Sequence, residues 1–367
     1  MKISILSMQR IHNYGSVLQA YALKKMLESL NHQVDFIDII PGERIEQISD
    51  NSKIIKGENY YLKLKEKLYK INSMKKIKFY FLNKKLDKIF IKSQKELLNL
   101  DKNYKKIAND CQGVVIGSDE VFNISPSCSW GISTQLLGDI NAPIVISYAA
   151  SCGYTKFSDI PESFLISLKK ALLNFKTISV RDKNTFNFVQ QISGRESNYN
   201  LDPVLVYPFN EEIKGIVLNL KEPYMIVYAY KNRINDRNEI QAIKKYAQKN
   251  KLKIYCIGGE QDWCDEFPIW TPFEVLVGFK NANCIVTDTF HGSIIAAKYN
   301  KKFVTIIRES NKNKLIDLLE RLNLEERILK NLENLEQCMD KNIEYQSFNE
   351  LIEFERKRSI EYLFRNL

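Results

Sequence analysis

The stretch from Cys284 to Ile307 constrains the fold more than any other part of the chain. Cys284-Ile-Val-Thr287 is a short apolar run of β-prone residues, Asp288 to Gly292 reads as a five-residue turn, and small helix-formers then extend to Lys298. A second β-prone run follows at Phe303 to Ile307. Such a βαβ unit makes its two strands parallel and sends the helix back across one face of the sheet. In open parallel sheets ligands gather beyond the carboxyl ends of the strands, where a helix N-terminus offers unpaired N–H groups and partial positive charge. His291, Gly292 and Ser293 fall at that point. Gly292 lets a backbone approach a ligand, Ser293 brings a hydroxyl, and His291 exchanges protons near neutral pH. The same spacing equally suits a histidine that caps a helix or satisfies a core hydrogen bond.

The pattern recurs along the chain. Lys2 to Ser7 reads as a strand, Val17 to Leu30 as a helix with two adjoining apolar rows, and Val34 to Ile39 as the next strand. Further strands are expected at Gly113 to Asp119, Ile144 to Ser151, Thr177 to Asp182, Tyr224 to Tyr230 and Lys253 to Ile257, with helices between them. Strands alternating with helices imply parallel sheets with right-handed crossovers. At 367 residues the chain exceeds one ordinary core. We therefore expect an α/β protein of two doubly wound, Rossmann-like domains facing a cleft. The first covers 1–206 and carries a lysine-rich helical insert at about 53–107; the second covers 222–310. Helices over 311–367 complete the chain and can pack back on the first domain, and Tyr207 to Glu222 is the linker.

Several strand tips carry polar residues that would face such a cleft. Asn13 and Gly15 follow the first strand, in a loop where Ser16 is an alternative N-cap. Ser118 and Asp119 end the third strand; Asp119 binds a sugar hydroxyl, positions a catalytic group, or simply caps the segment Glu120 to Asn123. Ser151 ends the fourth. Arg181 ends the fifth, where its fork of donors suits a carboxylate or phosphate, or else an ordinary salt bridge with Asp182 or another neighbour.

The first turn, His12 to Ser16, is neither a dinucleotide fingerprint nor a P-loop, so no nucleotide cofactor follows from it. Three histidines, at 12, 32 and 291, make a multi-histidine metal site improbable, and no metal is expected. Seven cysteines without a C-x-x-C pair suit reduced thiols in a cytoplasm. There is no secretory h-region and no run of about 20 apolar residues. The net charge of +10 is local: from Lys53 to Lys106 there are 17 lysines against five acids, whereas the rest carries 37 basic and 39 acidic residues. Tyr60, Tyr61, Leu64, Leu68, Ile77 and Tyr80 interleave with those lysines, followed by Phe81, Phe90 and Ile91. The insert is a solvated face of packed helices, a contact for an anionic membrane or lipid-linked substrate, or a nucleic-acid surface, the last without any recognised nucleic-acid module beside the charge.

Taken together, Asn13-Tyr-Gly-Ser-Val-Leu-Gln-Ala-Tyr-Ala-Leu23, Gly117-Ser-Asp119, Tyr148-Ala-Ala-Ser151, Ser179-Val-Arg-Asp182, Asp202-Pro203 and Phe290-His-Gly292 resemble the polysaccharide pyruvyl transferase family, in order and in spacing. The resemblance implies a GT-B-like fold and transfer of the pyruvyl skeleton of phosphoenolpyruvate to sugar hydroxyls of cell-surface glycans, with no other cofactor. It implies that His291 is the catalytic or donor-contacting histidine, with Gly292 and Ser293 beside it, and that Arg181 binds the donor. Asn13, Gly15, Ser118, Asp119 and Ser151 would face a sugar acceptor, lipid-linked or nucleotide-linked. Many relatives carry arginine two positions before the histidine where this chain has Thr289, so Lys298, Lys301 or Arg308 would have to supply a second donor contact. The expected location is the cytoplasm, with peripheral contact at the inner face of the membrane. The alternatives are a glycosyltransferase using a nucleotide sugar on the same fold and a non-catalytic module that binds anionic surfaces.

Overall fold

The structure is a computed structural model and describes residues 1–44, 74–105, 110–126 and 128–367. Its first half contains β1 (Lys2–Leu6), α1 (Tyr14–Ser29), β2 (Gln33–Ile37), α2 (Met74–Leu98), β3 (Gly113–Asp119), β4 (Val145–Ala150), α3 (Glu162–Leu173), β5 (Ser179–Val180), α4 (Lys183–Ser193), β6 (Asn198–Tyr199) and α5 (Pro203–Val206). The second half contains β7 (Tyr224–Ala229), α6 (Arg237–Lys249), β8 (Lys253–Gly258), α7 (Pro272–Asn281), β9 (Cys284–Thr287), α8 (Phe290–Lys298), β10 (Lys302–Thr305), α9 (Lys312–Arg321), α10 (Leu335–Asp340) and α11 (Tyr345–Asn366).

All strand pairs within both sheets are parallel, in the orders β2-β1-β3-β4-β5-β6 and β10-β9-β7-β8. Central strands such as β3, β4 and β7 are buried along their whole length, because helices cover both faces of a doubly wound sheet. The order reverses between β1 and β3 in the first sheet and between β7 and β9 in the second. At such a switch point the flanking connections leave on opposite faces and open a crevice at the carboxyl ends.

Helix starts follow local capping chemistry. Asp182 accepts from Thr185 N at the start of α4, and Asp202 accepts from Val204 N with Pro203 at the first helical position of α5. Two starts differ from the sequence expectation. Asn13, not Ser16, caps α1, so the helix begins at Tyr14 and draws Gly15 and Ser16 into its first turn. Likewise Thr289 caps α8 by accepting from Gly292 N, so the expected five-residue turn shrinks to Asp288 and Thr289. Glu120 to Asn123 forms bends and turns and not a capped helix. Tyr60, Tyr61, Leu64 and Leu68 of the lysine-rich stretch lie outside the described residues; the described part of that stretch includes α2.

The halves are joined through buried and half-buried polar contacts as well as apolar ones. Tyr14 Oη donates to the Trp270 carbonyl at 2.8 Å, and Arg321 Nη1 donates to the Arg181 carbonyl at 2.6 Å. Helix α11 returns to the first sheet, where Tyr362 Oη donates to the Ser147 carbonyl at 2.9 Å. Lys298 closes the linker side by donating to the carbonyls of Leu205 at 3.2 Å and Tyr207 at 2.5 Å.

Burial, aided by Arg356, lowers the Lys298 ammonium to about 7. Between that value and the ordinary lysine range the unfolded chain holds a proton that the folded one has released, so the stability contributed by this group rises with pH. Urea unfolding of wild type and Lys298→Met at pH 7 and pH 9 should show the wild type gaining on the variant by up to about 1.4 kcal/mol per pH unit. Parallel curves would mean that Lys298 keeps its proton in the folded state.

Candidate functional site

Beyond the carboxyl ends of β3 and β5, and before α8, charged groups converge on one buried guanidinium. Arg181 Nη1 donates to Asp202 Oδ2 at 2.8 Å and Nη2 to Asp119 Oδ1 at 2.9 Å. Its Cζ lies 4.1 Å from the centroid of the Phe290 ring, whose face favours a cation. Arg181 and Asp202 side chains are 1% and 0% exposed, so this pairing is almost free of solvent screening. Each aspartate has a further anchor: Asp202 accepts from Ser118 Oγ at 3.1 Å and caps α5, while Asp119 ends β3 with φ of 76°.

His291 stands beside this triad. Its Nε2 is 3.7 Å from Asp202 Oδ2 and has no hydrogen-bond partner, although the side chain is 9% exposed. On the other side the ring lies against Gly15 in the first turn of α1; a Cβ there would stand 2.2 Å from Nδ1. Burial pushes the imidazole below its ordinary pKa, against the opposing pull of Asp202 and Asp119. The ring is therefore neutral at pH 7. Asp119 is subject to the same burial, which raises its carboxyl, but the charges of Arg181 and Lys314, joined by His291 once low pH protonates it, outweigh burial and hold Asp119 below the usual carboxylate range. Lys314, from α9, pairs with Glu120 across the gap between the two halves.

The expected site residues divide sharply. His291, Asp119 and Gly15 meet at one place, with Arg181 behind them. Arg181 has both terminal nitrogens engaged by carboxylates, so it does not present the free fork expected for a donor anion. Ser293 is fully buried, donating to the Thr289 carbonyl and hydrogen-bonding Thr305 Oγ1, so it is not a ligand contact. Gly292 gives its N–H to Thr289 Oγ1, and a Cβ there would meet Thr287 Oγ1 at 2.1 Å; glycine is required by the packing of β9 against α8. Ser118 and Ser151 are 0% exposed, with their hydroxyls spent on Asp202 and Asp182, so neither faces an acceptor. Asn13 Oδ1 accepts from Ser16 N at 2.7 Å, so this oxygen serves as the α1 cap.

The substitutes considered for a second cation are also committed. Lys298 serves the linker, Lys301 donates to the Lys280 carbonyl, and Arg308 forks onto Glu239 while its Nε reaches Asp288 at 3.2 Å. Sequence reasoning missed Asp202, Glu120 and Lys314 as members of the site. Asp202-Pro203 is a helix-start signal that explains its cap, but its second oxygen serves residues distant in sequence. Among the described residues no group of three or more His, Cys, Asp or Glu side chains is arranged to hold a metal ion, and no helix is long and apolar enough to cross a membrane.

A family model described as polysaccharide pyruvyl transferase matches residues 13–310. No curated protein matches the chain. Among solved structures, the UDP-GlcNAc 2-epimerase of Methanocaldococcus jannaschii is similar over 99% of this chain and 99% of that one, with a TM-score of 0.50 and 12% identity. The Neisseria meningitidis UDP-GlcNAc 2-epimerase bound to UDP-GlcNAc is similar over 100% of both chains, with a TM-score of 0.49 and 11% identity. At such identities the likeness is one of fold, a two-domain Rossmann-like α/β arrangement.

Gly15→Ala tests the contact with His291. At an open helical position alanine is favoured by roughly 0.5–1 kcal/mol, whereas here the methyl group must displace the imidazole or α1, and a loss of about 1–3 kcal/mol is expected on thermal unfolding. A gain in stability would show that the ring does not rest on Gly15. Because the unfolded chain takes up the His291 proton first as pH falls through about 6.5, wild type should lose stability between pH 7 and 5 relative to His291→Asn.

Proposed function

The chain belongs to the polysaccharide pyruvyl transferase family, and we propose that it moves the pyruvyl skeleton of phosphoenolpyruvate onto a pair of sugar hydroxyls during cell-surface polysaccharide synthesis. The products are a cyclic ketal and inorganic phosphate. The observation that carries this reading is the buried His291, its Nε2 3.7 Å from Asp202 Oδ2, inside the stretch that matches the family. The acceptor sugar is carried on a nucleotide or a lipid phosphate, and the reaction takes place on the cytoplasmic side, where phosphoenolpyruvate is made.

The chemistry has two bond-forming stages. One acceptor hydroxyl bonds to C2 of phosphoenolpyruvate while C3 gains a proton, leaving a tetrahedral centre that carries the phosphate. The second hydroxyl then bonds to C2, the C2–O bond to phosphate breaks, and its proton leaves with the phosphate. A neutral imidazole suits the first task, since Nε2 can take the proton of an attacking hydroxyl and return one to carbon or to the leaving group. Asp202 and Asp119 stabilise the imidazolium formed in between. Arg181 acts as a positioning residue: it fixes both carboxylates and the Phe290 ring ahead of His291. Lys314 is the donor-anion contact in this reading, exchanging Glu120 for the phosphate, in a chain where Thr289 is used as a cap. Gly15 sets the position of the imidazole, and Asp119, the most accessible carboxylate of the triad, faces the acceptor.

The test is purified protein with phosphoenolpyruvate and a panel of UDP-sugars and lipid-linked sugars, read by phosphate release and product mass. His291→Asn should remain folded and lose about 10²- to 10⁴-fold in kcat. Lys314→Ala should raise KM for phosphoenolpyruvate more than it lowers kcat. Thermal stabilisation by UDP and not by phosphoenolpyruvate, with UDP released from a sugar nucleotide, would replace this reading with glycosyl transfer.

A further inference from the structure

Helix α2 presents two faces of different character. On one, Phe90 stacks with His12 at 5.8 Å between ring centroids and lies 5.0 Å from Tyr14, Phe79 meets Phe267 at 6.0 Å, and Asn83 Nδ2 donates to Glu260 at 2.9 Å. That face crosses from α1 of the first half to the loop after β8 in the second. On the opposite face Ile77, Phe81, Lys84, Lys88, Ile91 and Lys95 follow one another at alternating steps of four and three residues, and all are exposed. Ile77, Tyr80, Phe81 and Ile91 are 47%, 56%, 58% and 55% exposed.

We propose that this outer face of α2 seats the protein on the surface of an anionic lipid bilayer. The helix has eight lysines against Asp87 and Glu96 within 25 residues, a charge that complements acidic headgroups. A merely solvated lysine face would not carry three large apolar side chains on the same stripe, with Tyr80 beside them. In an interfacial helix these side chains enter the acyl boundary while lysine stems lie along them and the ammonium groups reach the phosphates. Single-stranded nucleic acid would use the charge and the aromatic rings, but Ile77 and Ile91 offer no stacking surface. The inner face of α2 rests on Tyr14, adjacent to the Gly15 on which His291 lies, so the seat is close to the candidate site. Delivery of an acceptor on a lipid phosphate is a consequence that rests on the proposed pyruvyl transfer; the seating itself does not.

The experiment is cosedimentation of the full chain with vesicles of phosphatidylcholine alone or with roughly one third phosphatidylglycerol. Binding is expected to the anionic vesicles at low salt, to be absent from the neutral ones, and to be largely lost near about 1 M salt, where the Debye length is about 3 Å. Changing Lys84, Lys88 and Lys95 to Gln should weaken it by about fivefold per lysine. Changing Ile77, Phe81 and Ile91 to Ser should weaken it with the charge intact. Since all six side chains are exposed, both variants should unfold at the wild-type temperature, which keeps a loss of binding interpretable. No sedimentation at low salt would overturn the proposal, and so would wild-type binding by both variants, which would put the contact elsewhere. Loss of binding by the lysine variant alone, with single-stranded RNA displacing the wild type from vesicles, would also overturn it in favour of a nucleic-acid surface. None of these readouts involves phosphoenolpyruvate, so failure here and failure of the enzymatic reading are distinguishable.

Discussion

The arrangement around His291 depends on one guanidinium. Three loops that leave different elements end within reach of Arg181: the tip of β3 brings Asp119, the start of α5 brings Asp202, and the start of α8 brings Phe290. Two carboxylates so placed would repel one another and lose their hydration without a cation between them. Leaving one such buried charge unpaired typically costs 3–5 kcal/mol. The geometry of the site is therefore tied to its own charge balance, and the catalytic histidine of the proposed reaction inherits its position from a residue that it does not touch by hydrogen bond.

That balance also sets the state of the imidazole. Arg181 neutralises one carboxylate, so the triad carries one net negative charge beside His291. Burial disfavours imidazolium, the residual charge favours it, and burial wins. Such opposition leaves the protonation of His291 responsive to any charge that enters the gap between the halves.

Much of this architecture is legible in the sequence, because parallel strands buried on both faces read as short continuous apolar runs and the intervening helices carry recognisable starts. Strand tips could be located from those runs, which is why Asp119, Arg181 and His291 stand out together. What a tip residue does there depends on contacts between distant segments. Ser118, Ser151 and Ser293 are all at tips, yet each hydroxyl points inward to a carboxylate, a carbonyl or another hydroxyl. The free fork expected of Arg181 failed for the same reason, since Asp119 and Asp202 are far from it in sequence. Gly15 is the converse case: its place in a loop suggested a ligand contact, whereas it gives room for a side chain of the other half. Local chemistry accounts for the two shifted helix starts, because Asn13 and Thr289 were each available as caps one turn before the expected helices began.

For the proposed transfer, the neutral histidine imposes an order of events. Carbon protonation needs an acid, and a ring held neutral by burial is not one. Phosphoenolpyruvate brings a carboxylate and a phosphate. If these take Lys314 from Glu120, one of the two cations that now disfavour imidazolium, the lesser beside Arg181, is neutralised, and new negative charge lies near the ring. Both changes favour proton uptake by His291. Alternatively the proton comes from the acceptor hydroxyl itself, in which case C–O bond formation precedes or accompanies protonation at C3. The two routes differ in when the proton arrives: the first couples donor binding to proton uptake from solvent, and the second makes proton gain by His291 part of the step that consumes the acceptor. In either route Asp202, fixed by Arg181, Ser118 and the α5 cap, is the nearest group that can stabilise the protonated ring without moving.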